Sequence, residues 1–328
     1  MIDRRMQSAF CRAAVLLPIA LSATMVAQDV SGSISGTVRD ASGAVIPGAT
    51  VKLTNTDRNL VVRTLTTNGS GIYSATALPL GNYSVEISAS NFGTKTTTGI
   101  VLHVNDTLTI NGDLKAGGGN EAVTVTSEQQ SINLENATQA GLINGTQMRE
   151  LVLGTRNYEQ LVGLQPGVAY SGGDQIYIGN SSPSGSSNVV NFSVNGARTS
   201  GNAWTVDGAD NVDRGSNFTL LTYPSVDAIA EFKTLRGQYS AEFGRSASGQ
   251  INVVTKSGTN DVHGSAYEFN RNDIFNANAV LNKLTTTPSG AAKTTTPRSK
   301  FRYNDFGYTI GGPLFIPKLY DGRKHKTY

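Results

Sequence analysis

Between Ser225 and Gly258 the chain reads SVDAIAEFKTLRGQYSAEFGRSASGQINVVTKSG, and this stretch limits the possible folds more than any other. Ser225 can cap a short amphipathic turn that runs through Ile229. Phe232 to Leu235 then reads as a strand that stops at Arg236-Gly237. Gly244 and Gly249 punctuate the next segment, and a second strand, Ile251 to Thr255, stops at Lys256-Ser257-Gly258. The result is a small compact unit with tight turns. It holds no nucleophile, metal cage or phosphate loop.

The rest of the chain is compatible with such a unit. Glycine supplies 36 of 328 residues and only 16% are charged, which suits short strands and turns and not helical bundles. A formal charge of +3 is too small to suggest a nucleic-acid surface. Residues 1–27 read as a secretory signal: Arg4, Arg5 and Arg12, then the apolar run Ala13 to Leu21, then Ala27 before Gln28, with Met25 a poor fit at the minus-three position. A membrane-anchoring helix is the other reading, but the run is short and carries Pro18. The single cysteine, Cys11, precedes that run, so the mature chain would carry no thiol, disulfide or cysteine metal site. His103, His263 and His325 are far apart, which argues against a histidine-based catalytic or zinc cluster. No later stretch is apolar enough for a membrane helix, so any insertion must be as a β-barrel.

Four regions follow the signal. Over 28–115 the residues alternate: Ile34, Gly36 and Val38 share a face, as do Val51 and Leu53, and Tyr83, Val85 and Ile87. Turns at Ser42-Gly43, Pro47-Gly48, Asn68-Gly69 and Leu80-Gly81-Asn82 separate about seven short strands, the rhythm of an Ig-like sandwich. Residues 116–130 begin with a glycine-rich break and continue as Glu121-Ala122-Val123-Thr124-Val125-Thr126, a hexamer that needs a sheet edge to pair with. One reading makes it the last strand of the sandwich. Over 131–261, Thr146 can cap a short helix through Leu151, and Tyr158, Leu161, Val162 and Leu164 form a second amphipathic run ending at Pro166-Gly167. The Asp and Asn residues at 207–213 lack calcium-loop spacing and read as turn formers. Over 262–328, His263 to Asn270 and Phe301 to Gly311 read as strands with a long non-periodic segment between them, and Lys324 to Tyr328 would begin a third.

Several of these motifs resemble TonB-dependent outer-membrane transporters, in the Oar-like branch. Leu235-Arg236-Gly237, Phe243-Gly244 and Gly249-Gln250-Ile251-Asn252-Val253-Val254-Thr255-Lys256 resemble the family's plug pattern, with Gln238 where proline is usual. Gly154-Thr155-Arg156-Asn157 and Leu164 to Val168 resemble the plug start. Gly36 to Asp40, Pro47 to Val51, Gly71-Ile72-Tyr73 and Leu80 to Tyr83 resemble the carboxypeptidase-regulatory-like (transthyretin-like) domain, which carries no peptidase chemistry. The resemblance implies a mainly β chain: an Ig-like or transthyretin-like sandwich, an α+β plug over 131–261, and the first strands of a transmembrane barrel left incomplete. A plugged barrel needs about 22 strands of roughly 10 residues each, so the chain reads as an N-terminal fragment or a truncated product. The resemblance offers a second reading for Glu121 to Thr126, as the TonB box that binds the TonB-type periplasmic energy transducer by strand addition. It also implies that Arg236, with Glu231 and Arg245, meets the barrel lumen, Arg236 through barrel carboxylates.

The function implied is gated uptake of an unidentified substrate (carbohydrate, peptide or siderophore) across the outer membrane, with lipid around the barrel and no cofactor. A secreted or surface β-rich adhesion or carbohydrate-binding protein is the alternative, but it leaves residues 225–258 unexplained. An enzyme is disfavoured, because G-x-S-x-G, the P-loop and H-E-x-x-H are all absent.

Overall fold

The alternation of the first region becomes two packed sheets in the computed structural model. It describes residues 31–117, 123–126, 137–170 (save 152, 154 and 155), 192–244 (save 216–218), 246–278 and 297–322 (save 299 and 319). The signal segment and the third strand expected at 324–328 lie outside these residues.

The sandwich strands are β1 (Gly32–Asp40), β2 (Thr50–Asn55), β3 (Leu60–Thr66), β4 (Ile72–Leu78), β5 (Gly81–Ser88), β6 (Lys95–Leu102), β7 (Thr107–Thr109), β8 (Gly112–Leu114) and β9 (Val123–Thr126). One sheet pairs β4 with β1, and β7 and β8 run parallel to β1 at successive stretches. The other has the order β3-β2-β5-β6-β9. Between them lie Ile34, Val38, Val51, Leu53, Tyr83, Val85, Ile87, Leu102 and Leu114, each larger side chain contributing about 1.5–3 kcal/mol by leaving water. Gly36 is required for space: a Cβ there would collide with the Ile110 carbonyl, the same oxygen that accepts from the Tyr73 hydroxyl at 2.6 Å.

The region expected as a plug, called the plug below, begins with β10 (Gln139–Asn144) and α1 (Gly145–Glu150). The cap of α1 is Asn144 and not Thr146. Gln147 N donates to Asn144 Oδ1 at 2.9 Å and Asn144 N donates to Gln147 Oε1 at 3.0 Å, a reciprocal box that satisfies two end groups at once. The run from Tyr158 to Leu164 winds as a 3-10 helix. After β11 (Val168–Tyr170), β12 (Phe192–Val194), β13 (Ala203–Val206) and β14 (Ala209–Asp210) come β15 (Ile229–Gly237) and β16 (Gln250–Thr255). The sheet order is β10-β15-β16-β13-β14. Its core gathers Met148, Tyr158, Leu161, Phe192, Trp204, Phe232 and Ile251, with the Tyr158 ring centroid 6.3 Å from Trp204 and 5.9 Å from Phe232.

β15 starts three residues before the strand read from sequence. It pairs with β10 on one edge and β16 on the other, and both faces are covered, so its side chains show no wet and dry alternation. The turn expected at Ser225 is present, with Ala228 N donating to Ser225 O at 2.8 Å.

The last region is a long hairpin of β17 (His263–Asn272) and β18 (Arg302–Gly311), paired without a break from His263↔Gly311 to Asn272↔Arg302. Its two faces differ. Phe306, Tyr308 and Ile310 are 76%, 80% and 79% exposed on one, while Tyr303, Asp305, Gly307 and Thr309 are half-buried on the other. Gly307 makes room for a neighbour, since a Cβ there would lie 2.5 Å from the Tyr267 hydroxyl. Two-residue strands β19 (Phe315–Ile316) and β20 (Tyr320–Asp321) follow.

Candidate functional site

The residues of functional interest lie at joints between these bodies. The first joint is the hexamer. Val123 to Thr126 form β9, which runs parallel to β6 in the register Lys95↔Val123, Thr96↔Thr124, Thr97↔Val125 and Thr98↔Thr126. Glu121 and Ala122 lie outside the described residues. The segment thus stands at the edge of the sandwich sheet, on the way from the sandwich to the plug.

The second joint fastens the sandwich to the plug. Glu231 was expected against the barrel, but its carboxylate is committed to the turn after β6. Val104 N donates to Glu231 Oε1 at 2.6 Å, and His103 Nδ1 lies 2.7 Å from Oε2. Two residues along β15, Lys233 Nζ donates to Asp106 Oδ1 at 2.6 Å and to Asn105 O at 3.3 Å. The reason is the pleat: positions 231 and 233 project from one face, and the His103–Asp106 turn crosses that face. Farther along, Arg58 donates to Ser257 Oγ at 2.8 Å, and Asn260 donates to the Arg58 carbonyl at 2.8 Å. His103, Asp106 and Lys233 were not identified from sequence. A turn at Asn105-Asp106 was readable, but nothing local pointed to partners more than 120 residues away.

The hydrogen bond that His103 makes to the Glu231 carboxylate is the main cause raising the His103 pKa, helped by the charges of Glu231 and Asp106 and opposed by burial and Lys233. A histidine raised by docking stabilises the docked state fully below its free pKa, and that contribution disappears as pH rises through the docked value. The joint should therefore loosen as pH climbs from the ordinary histidine value through the raised one. Hydrogen exchange at the Val104 amide reads this directly: protection, corrected for the intrinsic rate, should fall over that range, and His103→Ala should flatten the trend. Equal protection at both ends in the parent would count against it.

Arg236 stays within the plug. Its Nη1 donates to Pro166 O at 2.6 Å and its Nη2 to Ala140 O at 3.3 Å, while Nε has no partner among the described residues. Arg245 lies outside the described residues.

The third joint, between plug and hairpin, is made by Arg156, for which no role had been assigned. Its backbone is left-handed, with φ of 57°. Its Nη2 donates to Asp227 Oδ2 at 2.6 Å, and both side chains are more than nine-tenths buried. The guanidinium lies 3.8 Å from the Phe269 ring centroid on β17, and its Nε is 3.9 Å from Asp305 on β18. A stacked, charge-paired arginine of this kind binds through its plane and its fork together. Ser225 adds a hydroxyl contact to Tyr267 at 3.0 Å.

One further group lies within the plug core. Glu159 is fully buried, and among the described residues no other one satisfies either carboxylate oxygen. Burial pushes its pKa up to about 8, partly offset by its own amide. It is near enough to Tyr158, Tyr170 and Tyr223 for its charge to help raise theirs, though burial is the main cause in each. Sequence reading missed it because it sits beside Tyr158 in a run whose apolar positions looked like one helical face.

Comparison with known proteins fits this layout. Residues 33–115 match the carboxypeptidase regulatory-like domain, and residues 254–328 match an outer membrane beta barrel domain. The TonB-dependent transporter Oar of Myxococcus xanthus is a homologue, 27% identical over 88% of this chain. The chain spans 26% of that relative's length. Among solved structures, the siderophore receptor PirA of Acinetobacter baumannii is similar over 53% of this chain and 22% of its own, at 22% identity and a TM-score of 0.35. The outer membrane transporter YddB of Escherichia coli is similar over 51% of this chain and 23% of its own, at 17% identity and a TM-score of 0.37.

Proposed function

We propose that this chain is the N-terminal part of a TonB-dependent outer-membrane transporter, exported by its signal and working by gated uptake. The reading divides it into signal (1–27), sandwich (28–115), coupling segment (116–130), plug (131–261) and the opening of the barrel (262–328). The observation that carries it is the two-faced hairpin. Phe306, Tyr308 and Ile310 present an apolar outer face fit for lipid, while the opposite face holds the plug through Arg156. A barrel wall needs this alternation, with lipid on one side and a polar lumen on the other. The reading also gives Arg236 a contact with carboxylates of other barrel strands, beside its bonds to the Pro166 and Ala140 carbonyls. The substrate is a large or scarce solute such as a carbohydrate, peptide or siderophore.

In this reading Glu121 to Thr126 engages a TonB-type periplasmic transducer by strand addition, where backbone hydrogen bonds supply the affinity. Proline removes a ladder donor and fixes φ. Val125→Pro in the full-length protein should therefore abolish crosslinking to the transducer and substrate uptake, while Val125→Thr should be mild. Uptake and crosslinking at the parental level in Val125→Pro would remove the segment from this role.

A further inference from the structure

Among the described residues, β9 ends its sheet with one edge paired to β6 and no strand on the other. We infer that the transducer adds its strand to the outer edge of β9 while β9 stays on β6, so the sandwich forms half of the docking platform. This rests on reading residues 121–126 as the coupling segment.

Three observations carry the inference. First, β9 is terminal in the order β3-β2-β5-β6-β9, and among the described residues it pairs with β6 alone. Backbone groups of a strand point alternately to its two edges, so a ladder on one side leaves a second row of donors and acceptors. Second, the existing ladder already holds four residues of the segment extended. A partner that adds to a preformed strand avoids the ordering cost a free segment would impose, whereas a partner that strips β9 away must first break that ladder. The approach to β9 is held too: Gly93 N donates to Lys115 O at 3.0 Å and Gly117 N to Asn91 O at 3.3 Å, which ties the outgoing chain to the loop before β6.

Third, the platform is continuous with the joint to the plug. β6 ends at Leu102, and the next four residues are the turn held by Glu231 and Lys233 of β15. A strand seated on β9 is therefore linked to the plug sheet through β6 and that turn, as well as through the covalent chain. The partner this surface fits is an extended peptide read mainly through its backbone.

The test locks β9 in place. Thr96 and Thr124 face each other across the ladder. Thr96→Cys with Thr124→Cys, in a full-length protein that also carries Cys11→Ser, gives one disulfide with no competing thiol in these residues. The probe is the purified periplasmic domain of a TonB-type transducer, titrated onto the protein in detergent before and after reduction, with the disulfide confirmed by mass. We expect the oxidised and reduced forms to bind within about threefold of each other, because β9 does not move. Val125→Pro should bind at least about tenfold more weakly. If oxidation costs about tenfold or more and reductant restores binding, the transducer strips the strand from β6 and the inference is overturned, though the coupling reading survives. If Val125→Pro binds like the parent, the coupling reading itself fails and takes the inference with it. If the locked protein self-associates and thereby excludes the probe, the edge belongs to a second copy of this chain, and the inference is again wrong.

Discussion

Glu159→Gln should leave the plug about as stable as before near pH 5 and more stable by roughly 3–5 kcal/mol near pH 9. The sign follows from the proton count. Unfolded, the carboxyl loses its proton at its ordinary value of 4.5, while in the folded core it holds on until about 8. Between those values the folded state binds more protons than the unfolded one, so stability falls as pH rises and is lowest above the folded value. Glutamine has the same shape and stays neutral, so it removes the slope. Its amide would lack partners in the core as the protonated carboxyl already does, so the two nearly cancel at low pH. The measurement is native-state hydrogen exchange of the amides of Phe232, Thr234 and Ile251 in the intact protein at several pH values. Parallel pH profiles for parent and variant would show that Glu159 ionises freely in the folded plug. If the profiles diverge as expected, opening the plug at neutral pH lets this acid ionise, and closing it again requires a proton.

Arg156→Met should cost roughly 3–5 kcal/mol, because it leaves Asp227 charged, buried and unpaired. The variant keeps an apolar stem but loses the guanidinium that lies over Phe269, so its cost adds the lost stacking to the unpaired Asp227. Asp227→Leu added to Arg156→Met should restore much of the loss, since replacing both partners of a buried pair is far cheaper than removing one. Thermal unfolding of the single and double variants decides this. A double variant no better than the single would show that the pair holds a geometry that apolar contact cannot replace. The same single variant should loosen the hairpin, since Arg156 joins Asp227 of the plug to β17 and β18.

The sandwich and the hairpin were legible because their longer strands alternate between two unlike faces. Ile34 against Ser33, Val85 against Glu86 and Phe306 against Gly307 all announce which way the chain faces. β15 was only partly legible. With Phe232 in the core and Glu231 and Lys233 under the sandwich, its residues are buried on both faces and the period disappears. The joints were not legible at all. Charge alone cannot say that Glu231 meets a turn 127 residues away and not a barrel wall. Asn144 as the cap of α1 was within reach of sequence reasoning, because Asn144 and Gln147 stand at capping-box spacing. The hexamer had two readings, and its place on β6 is compatible with both.

β15 has one last consequence. What the sandwich meets on β15 includes a carboxylate and an ammonium, each with its polar partner on the other body. Most surfaces hidden by a packed neighbour become sticky once uncovered; this one would simply hydrate. Separation would return these two charged groups to water, where they invite no aggregation. The two halves could part and meet again many times, like a plug and socket with wet contacts, and salt should ease the parting.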